Sequence, residues 1–239
     1  MRVEIWSDIA CPWCYVGKAR FERALAAFPH REQVEVVHRS FELDPDRAKG
    51  DVQPVITMLT RKYGMSEAQA QAGEDNLGAQ AAAEGLDYRT RGRDHGNTFD
   101  MHRLLHFAKE HGRQDQLIQL LYRANFAEER SLFTEGDTRL VELAAEAGLD
   151  AEAARAVLAD PDAYADEVRA DEREAARLGA TGVPFFVLDR TYGVSGAQPA
   201  EVFTQALTQA WGERSPLKPV DQGDAAACGP DGCAVPQHG

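Results

Sequence analysis

The feature that most narrows the fold of this chain is the placement of Cys11-Pro12-Trp13-Cys14. Val3 and Ile5 alternate with polar residues as a short strand does. Pro12 then opens a helix carrying Val16, Ala19, Phe21, Leu25 and Phe28 at mixed three- and four-residue spacings. A strand therefore runs into a helix at Cys11. A sulfur at that junction meets backbone N–H groups that no helical carbonyl satisfies, and the positive end of the macrodipole, both of which stabilise a thiolate. The thiolate is the attacking species in disulfide exchange. Cys14, one turn into the helix, is shielded yet close enough to resolve a mixed disulfide by closing an intramolecular bond. Two inert thiols at a helix start are the bland alternative, and the strand-turn-helix setting argues against it.

The rest of the chain extends this opening. Val34, Val36 and the apolar positions toward Phe41 read as a second strand, closed by the turn Glu42-Leu43-Asp44-Pro45. Residues 52–178 then carry Ala-rich helical patterns over 52–63, 66–84, 97–111, 114–127, 137–147, 150–158 and 164–178, with no convincing strand among them. Ser66 with Gln69 fits a capping box, Asp150 is placed to cap the helix after it, and Gly179 is placed to stop the helix before it. Strands return at 183–188 and 192–195, joined by a tight turn at Asp189-Arg190, and a last helix covers 199–211. The fold expected is α/β: a thioredoxin-like sheet in two parts, 1–45 and 164–211, separated by a helical insertion over 46–163. A 28-residue tail, 212–239, has five Gly, four Pro and no aromatic residue, and cannot build its own core.

Composition bears on partners. The 39 acidic and 26 basic side chains leave a formal charge of −13, which repels nucleic-acid phosphates and anionic membrane surfaces, and no basic run overrides it. The N-terminus lacks the apolar run of a secretory signal, and no stretch approaches the roughly 20 apolar residues of a membrane span, so the expected address is the cytoplasm. The four cysteines form two tight pairs, Cys11 with Cys14 and Cys228 with Cys233. In a reducing compartment such pairs point to redox chemistry or a metal before structural staples.

Gly182-Val183-Pro184-Phe185 stands at the start of a returning strand, where a proline that cannot donate to the ladder is unwelcome. A cis Val183-Pro184 bond would explain it. The Val183 backbone would then be free to align an extended peptide beside the reactive sulfur, a small case of strand addition.

With these residues in place, the order of elements resembles the DsbA family of thioredoxin-fold oxidoreductases over about residues 1–211. Phe41-Glu42-Leu43-Asp44-Pro45, Asn97-Thr98 with His102-Arg103, and Gly182 to Val187 with Ser195-Gly196-Ala197-Gln198-Pro199 resemble its FrnE-like branch of cytoplasmic thiol-disulfide oxidoreductases or isomerases. The resemblance implies Cys11 as nucleophile, Cys14 as resolving thiol, Pro184 as the cis-proline and the helical insertion as a cap. Relatives that isomerise hydroxychromene carboxylates or conjugate glutathione replace the first cysteine by serine, and Cys11 argues against those activities. The expected partners are disulfide- or thiol-containing proteins, with glutathione or another low-molecular-weight thiol as a further partner. No cofactor is expected. Pro12-Trp13 departs from the Pro-His of the strongly oxidising members. One source of thiolate stabilisation is thereby absent, which implies a less oxidising disulfide suited to reduction or isomerisation.

In the tail, Gly229-Pro230-Asp231-Gly232 is turn chemistry that can bring Cys228 and Cys233 together, although a tail with idle thiols is the simpler reading of the residues alone. Members of the FrnE-like branch carry a second C-terminal pair, and the resemblance implies a relay exchanging with Cys11 and Cys14. Four thiolates also match a structural zinc, but Pro12 at the first pair and the long separation do not fit a zinc ribbon, and no metal is expected. His102 and His106 stand four apart on one helix, flanking Met101, Leu104, Leu105 and Ala108, with no carboxylate at a telling spacing. The resemblance turns His102 and Arg103 toward the cleft. Ser195 to Gln198 precede the last helix, whose N-terminus either holds a substrate carboxylate or is simply capped. Pro12, Trp13, Val183, His102 and Ser195 are thus the expected substrate contacts, Trp13 as an apolar platform. The competing functions are a glutathione-dependent transferase or isomerase on a small molecule, and a non-enzymatic peptide-binding adaptor or holdase.

Overall fold

A computed structural model describes residues 1–214, so Cys228 and Cys233 lie outside the described residues. Strand β1 (Arg2–Ser7) leads into helix α1 (Pro12–Ala26), which crosses to β2 (Glu35–Ser40), parallel to β1 with Val3 opposite Val36 and Ile5 opposite His38. Between β2 and the returning strands come α2 (Val55–Tyr63), α3 (Glu67–Ala83), α4 (Phe99–Glu110), α5 (Gln114–Phe126), α6 (Gly136–Glu146), α7 (Ala151–Ala159) and α8 (Ala165–Arg177). The strands here named β5 (Phe185–Leu188) and β6 (Tyr192–Ser195) complete the sheet, and α9 (Ala200–Gly212) follows. The sheet order is β2-β1-β5-β6, with β5 antiparallel to both neighbours. Asp189 and Arg190, in the three-residue connection between the paired Leu188 and Tyr192, both have positive φ, a left-handed pair that matches the strand twist.

Alternation in β1 sets the layers. Val3 and Ile5 face α1 and α9, where Phe21, Phe186 and Phe203 close an aromatic cluster with centroids 4.6 to 5.7 Å apart. Each such ring contributes roughly 1.5–3 kcal/mol through burial. Glu4 and Trp6 face α8, where the Trp6 indole donates to the Asp171 carbonyl at 2.9 Å and Arg39 bridges Glu4 and Asp171. Phe28 lies just past α1 rather than on it, packed edge-on against Trp211. A second core is built from α4 to α7 and includes Ile9, Cys11 and Cys14, so the dithiol motif sits where sheet and helical layers meet.

The capping residues act as expected. Ser66 and Gln69 form both bonds of a capping box, the Asp150 carboxylate accepts from the Ala153 amide at 2.7 Å, and Gly179 ends α8 with φ near 78°. One element differs. A two-residue antiparallel ladder pairs β3 (Gln53–Pro54) with β4 (Asp94–His95), inside the segment read as holding no convincing strand, and α2 starts only after Pro54. Two residues are too few to show a period of two, so the pattern could not reveal them.

Candidate active site

Cys11 is the N-cap of α1. Its sulfur accepts from the Cys14 amide at 3.3 Å and its thiol lies 3.6 Å from the Val183 carbonyl. The Val183-Pro184 peptide bond is cis, and the Pro184 carbonyl accepts from the Gly196 amide at 2.8 Å, which ties this loop to the end of β6. Cys11 and Cys14 are both free thiols and 4% and 1% exposed. Burial, reinforced by the hydrogen bond and charge of Cys11, pushes the Cys14 thiol well above its ordinary value. The pair is therefore unequal: one sulfur sits among helix-start donors, and the other keeps its proton until it is needed.

Cys11 reaches solvent through a cleft of about 330 Å³ lined by Pro12, Trp13, Val183 and the apolar side chains of α2 and α3, including Val55, Met58, Leu59 and Leu77. Trp13, Leu43, Tyr63 and Met65 are exposed around it, an apolar rim beside the Cys11 sulfur. The charged groups in its wall are mutually satisfied: Arg93 pairs with Glu74 and contacts the Tyr88 hydroxyl at 2.6 Å, and Lys62 contacts the Leu43 carbonyl and Asp44. A larger cavity of about 490 Å³ lies between α1, α5 and α6 and contains neither cysteine.

Beneath the motif lies Asp8, whose backbone carbonyl accepts from the Cys11 amide at 3.1 Å. Its carboxylate accepts from the Leu43 amide at 2.8 Å and stands 3.4 Å from the His102 Nε2. Burial alone would raise this carboxyl. The His102 imidazole, the Leu43 amide and the Thr98 hydroxyl outweigh burial and hold it below the usual carboxylate range. The Asn125 amide donates to the Ile9 carbonyl at 2.8 Å and fixes the loop leading into Cys11.

The expected site residues separate accordingly. Cys11, Pro12, Trp13 and Val183 converge on the cleft, with Pro184 adjoining Val183. His102 does not line it. At 1% exposure it is packed under the motif against Asp8, itself buried, so the structure does not place it where direct substrate contact was expected. Arg103 likewise turns away, donating to the carbonyls of Val157, Asp160 and Ala163 and pairing with Asp100. Carboxylates do reach both histidines, but from remote elements: Asp8 for His102, and Asp171 of α8 at 3.2 Å for His106. Ser195 is exposed at the end of β6 opposite Phe185, away from the cleft wall, and Pro199 begins α9 without a side-chain cap.

Sequence reasoning missed Gly17. A Cβ there would stand 3.0 Å from the Pro184 ring and 3.3 Å from Ala197, so the missing side chain lets α1 close on the proline loop. A glycine inside an otherwise regular amphipathic helix was the available signal.

A four-stranded mixed sheet with a Cys-x-x-Cys at the start of its first helix, and the carbonyl preceding a cis-proline 3.6 Å from the first sulfur, is the layout of a thioredoxin fold. The chain belongs to the DSBA-like thioredoxin domain family, whose model matches residues 2–208. It is 81% identical to a probable DsbA oxidoreductase, SCO1869, of Streptomyces coelicolor, with 99% of this chain and 100% of that chain covered and a TM-score of 0.90. YwbO of Bacillus subtilis (strain 168) is 29% identical over 210 residues, 87% of this chain and 96% of that protein. The cytosolic disulfide reductase DsbM of Pseudomonas aeruginosa, 20% identical, shares the fold over 87% of this chain and 98% of its own with a TM-score of 0.60. Among the described residues no helix is long and apolar enough to cross a membrane.

Proposed function

We propose that this oxidoreductase reduces or isomerises disulfides of protein substrates in the cytoplasm, as a member of the FrnE-like branch. The observation carrying this reading is the Cys11 sulfur itself, held between the Cys14 amide and the Val183 carbonyl at the mouth of an apolar cleft. The Cys11 thiolate attacks one sulfur of a substrate disulfide. The old S–S bond breaks, its other sulfur leaves as a thiolate, and Cys11 becomes bonded to substrate. Cys14, once deprotonated, attacks the Cys11 sulfur and releases the second substrate sulfur, leaving the enzyme oxidised and the substrate reduced by two electrons. When another substrate thiolate attacks the mixed disulfide first, Cys11 is regenerated and the bond has been shuffled. Val183 and Pro184 align the extended chain, and Trp13 with the rim of α2 takes its apolar side chains.

Cys228 and Cys233 complete the reading as a second dithiol that exchanges with the first pair and passes electrons to or from it. A structure of Pseudomonas DsbM was determined with GSH, which makes glutathione the first thiol to try as the reductant resetting Cys11 and Cys14. The experiment is insulin reduction with glutathione as electron donor, beside conjugation of glutathione to an aryl halide. Insulin turnover that disappears in Cys11→Ser supports the proposal. Conjugation without insulin turnover would replace it with a glutathione transferase, and a Cys11→Ser protein that retains its biological effect would favour a holdase.

A further inference from the structure

Arg20 lies on α1 about one turn beyond Gly17, on the same helix face, and its guanidinium reaches three separate segments at once. Nη1 donates to the Ala197 carbonyl at 2.7 Å, Nη2 to the Gln80 side-chain oxygen at 2.7 Å, and Nε to the Glu84 carboxylate at 2.8 Å. The Arg20 and Glu84 side chains are 13% and 7% exposed, so these charge-assisted bonds are made largely out of water, where they are strongest. A planar guanidinium presents its donors in a fixed fork, and no other side chain can hold three acceptors in this arrangement.

Each acceptor belongs to an element that builds the cleft. Ala197 follows Gly196, whose amide holds the Pro184 carbonyl at 2.8 Å, so the Ala197 bond secures the loop carrying Val183 and Pro184. Gln80 and Glu84 continue the stripe of α3 on which Ala70, Glu74 and Leu77 line the cleft, at spacings of three and four residues. Helix α1 itself begins at Cys11. The dithiol helix, the aligning loop and the α3 wall are thus three separate pieces joined at one side chain. Arg20 does not itself line the cleft, and Glu84 keeps a second partner in Arg23, so removing Arg20 strands no buried charge.

We propose that Arg20 is a positioning residue for polypeptide substrates: its fork sets the spacing of the proline loop and the α3 wall about Cys11, and so governs how tightly an extended chain binds. The proposal rests on the reading of Cys11 as the group that attacks protein disulfides. An interaction that serves the ground state and the transition state equally appears in KM and leaves kcat alone. A staple between helices with no part in substrate alignment would appear in thermal stability and leave KM unchanged.

The test compares Arg20→Met, Arg20→Lys and Gln80→Met with the parent, all as full-length proteins. Glutathione-driven insulin reduction gives kcat and KM. In stopped flow, 5,5′-dithiobis(2-nitrobenzoate), a small disulfide with no chain to align, gives the rate of first attack, with Cys228→Ser and Cys233→Ser present so that only the first pair reports. Arg20→Met should raise KM for insulin about tenfold, the effect of a few tenths of an ångström at the aligning loop, with kcat and the rate of first attack within about twofold of the parent. Arg20→Lys keeps the charge but cannot hold all three acceptors, so its KM should stay nearer to that of Arg20→Met than to the parent's. Gln80→Met removes one bond and should raise KM by less, about threefold, and it carries the test should Arg20→Met fail to fold. A folded Arg20→Met protein with parental KM would overturn the proposal, as would full rescue by Arg20→Lys, an equal loss in the first attack, or parental KM in Gln80→Met. A parent protein that reacts with the small disulfide but leaves insulin unreduced would instead overturn the reading of Cys11 on which the proposal rests.

Discussion

Gly17 offers the sharpest test of how the helix and the proline loop are fitted together. Gly17→Ala adds one methyl group whose nearest neighbours are the Pro184 Cγ at 3.0 Å and Ala197 at 3.3 Å. In an open helix the exchange stabilises by about 1 kcal/mol, because alanine is the better helix former. Overpacking of a closed contact costs about 1–3 kcal/mol. The difference leaves the variant between unchanged and about 2 kcal/mol less stable, a fall in Tm of up to about 8 °C for a chain of this size. Gly17→Val, with two further methyls and a smaller helix advantage, should fall further. Displacing Pro184 by a few tenths of an ångström should lower insulin turnover by up to about tenfold, since a whole ångström of misplacement costs about 100-fold. Thermal unfolding and kcat/KM measured on the same preparations read both effects. A Gly17→Ala protein that melts several degrees above the parent with undiminished turnover would refute the argument, because the helix gain would have been realised without any cost at the proline.

Other outcomes follow from the site and its surroundings. Without a histidine between its cysteines, the Cys11–Cys14 disulfide should titrate against glutathione between about −180 and −270 mV, and a value near −120 mV would contradict the reading of Pro12-Trp13. Glu42 holds its proton to about pH 7 when folded but only to about 4.5 when unfolded, so its contribution to stability is present at low pH and is lost as pH rises from 4.5 to 7. That loss amounts to at most about 3 kcal/mol, less what solvent screening removes at this partly open site, and Glu42→Gln should abolish it in urea unfolding across pH. Replacing both Cys228 and Cys233 by serine should slow glutathione-driven turnover while leaving the first attack by Cys11 intact in single-turnover assays; unchanged steady-state turnover would leave the tail pair without a role.

The parts of this molecule legible from sequence are those set by local rules. The strand-to-helix junction at Cys11, the capping box at Ser66, the Asp189-Arg190 turn and the returning strand after Pro184 all follow from neighbours within a few residues. The cleft was not legible, because its wall comes from α2, α3 and the short β3–β4 ladder, whose apolar residues read equally well as core. His102 shows the same limit more sharply. Its helix and its neighbours were apparent from the periodicity, but its carboxylate partner lies 94 residues earlier, in the loop before α1, and only the fold brings the two within 3.4 Å. Gly17 was visible as a residue and opaque in purpose until the proline ring appeared opposite it.

The central claim, that Cys11 is the nucleophile toward protein disulfides, is tested most directly by incubating Cys14→Ala protein with a disulfide-bonded polypeptide and mapping the product by mass spectrometry under non-reducing conditions. The account predicts one stable mixed disulfide, on Cys11, that is absent from Cys11→Ser. An adduct confined to Cys228 or Cys233, or no adduct with Cys11 still free, would contradict it.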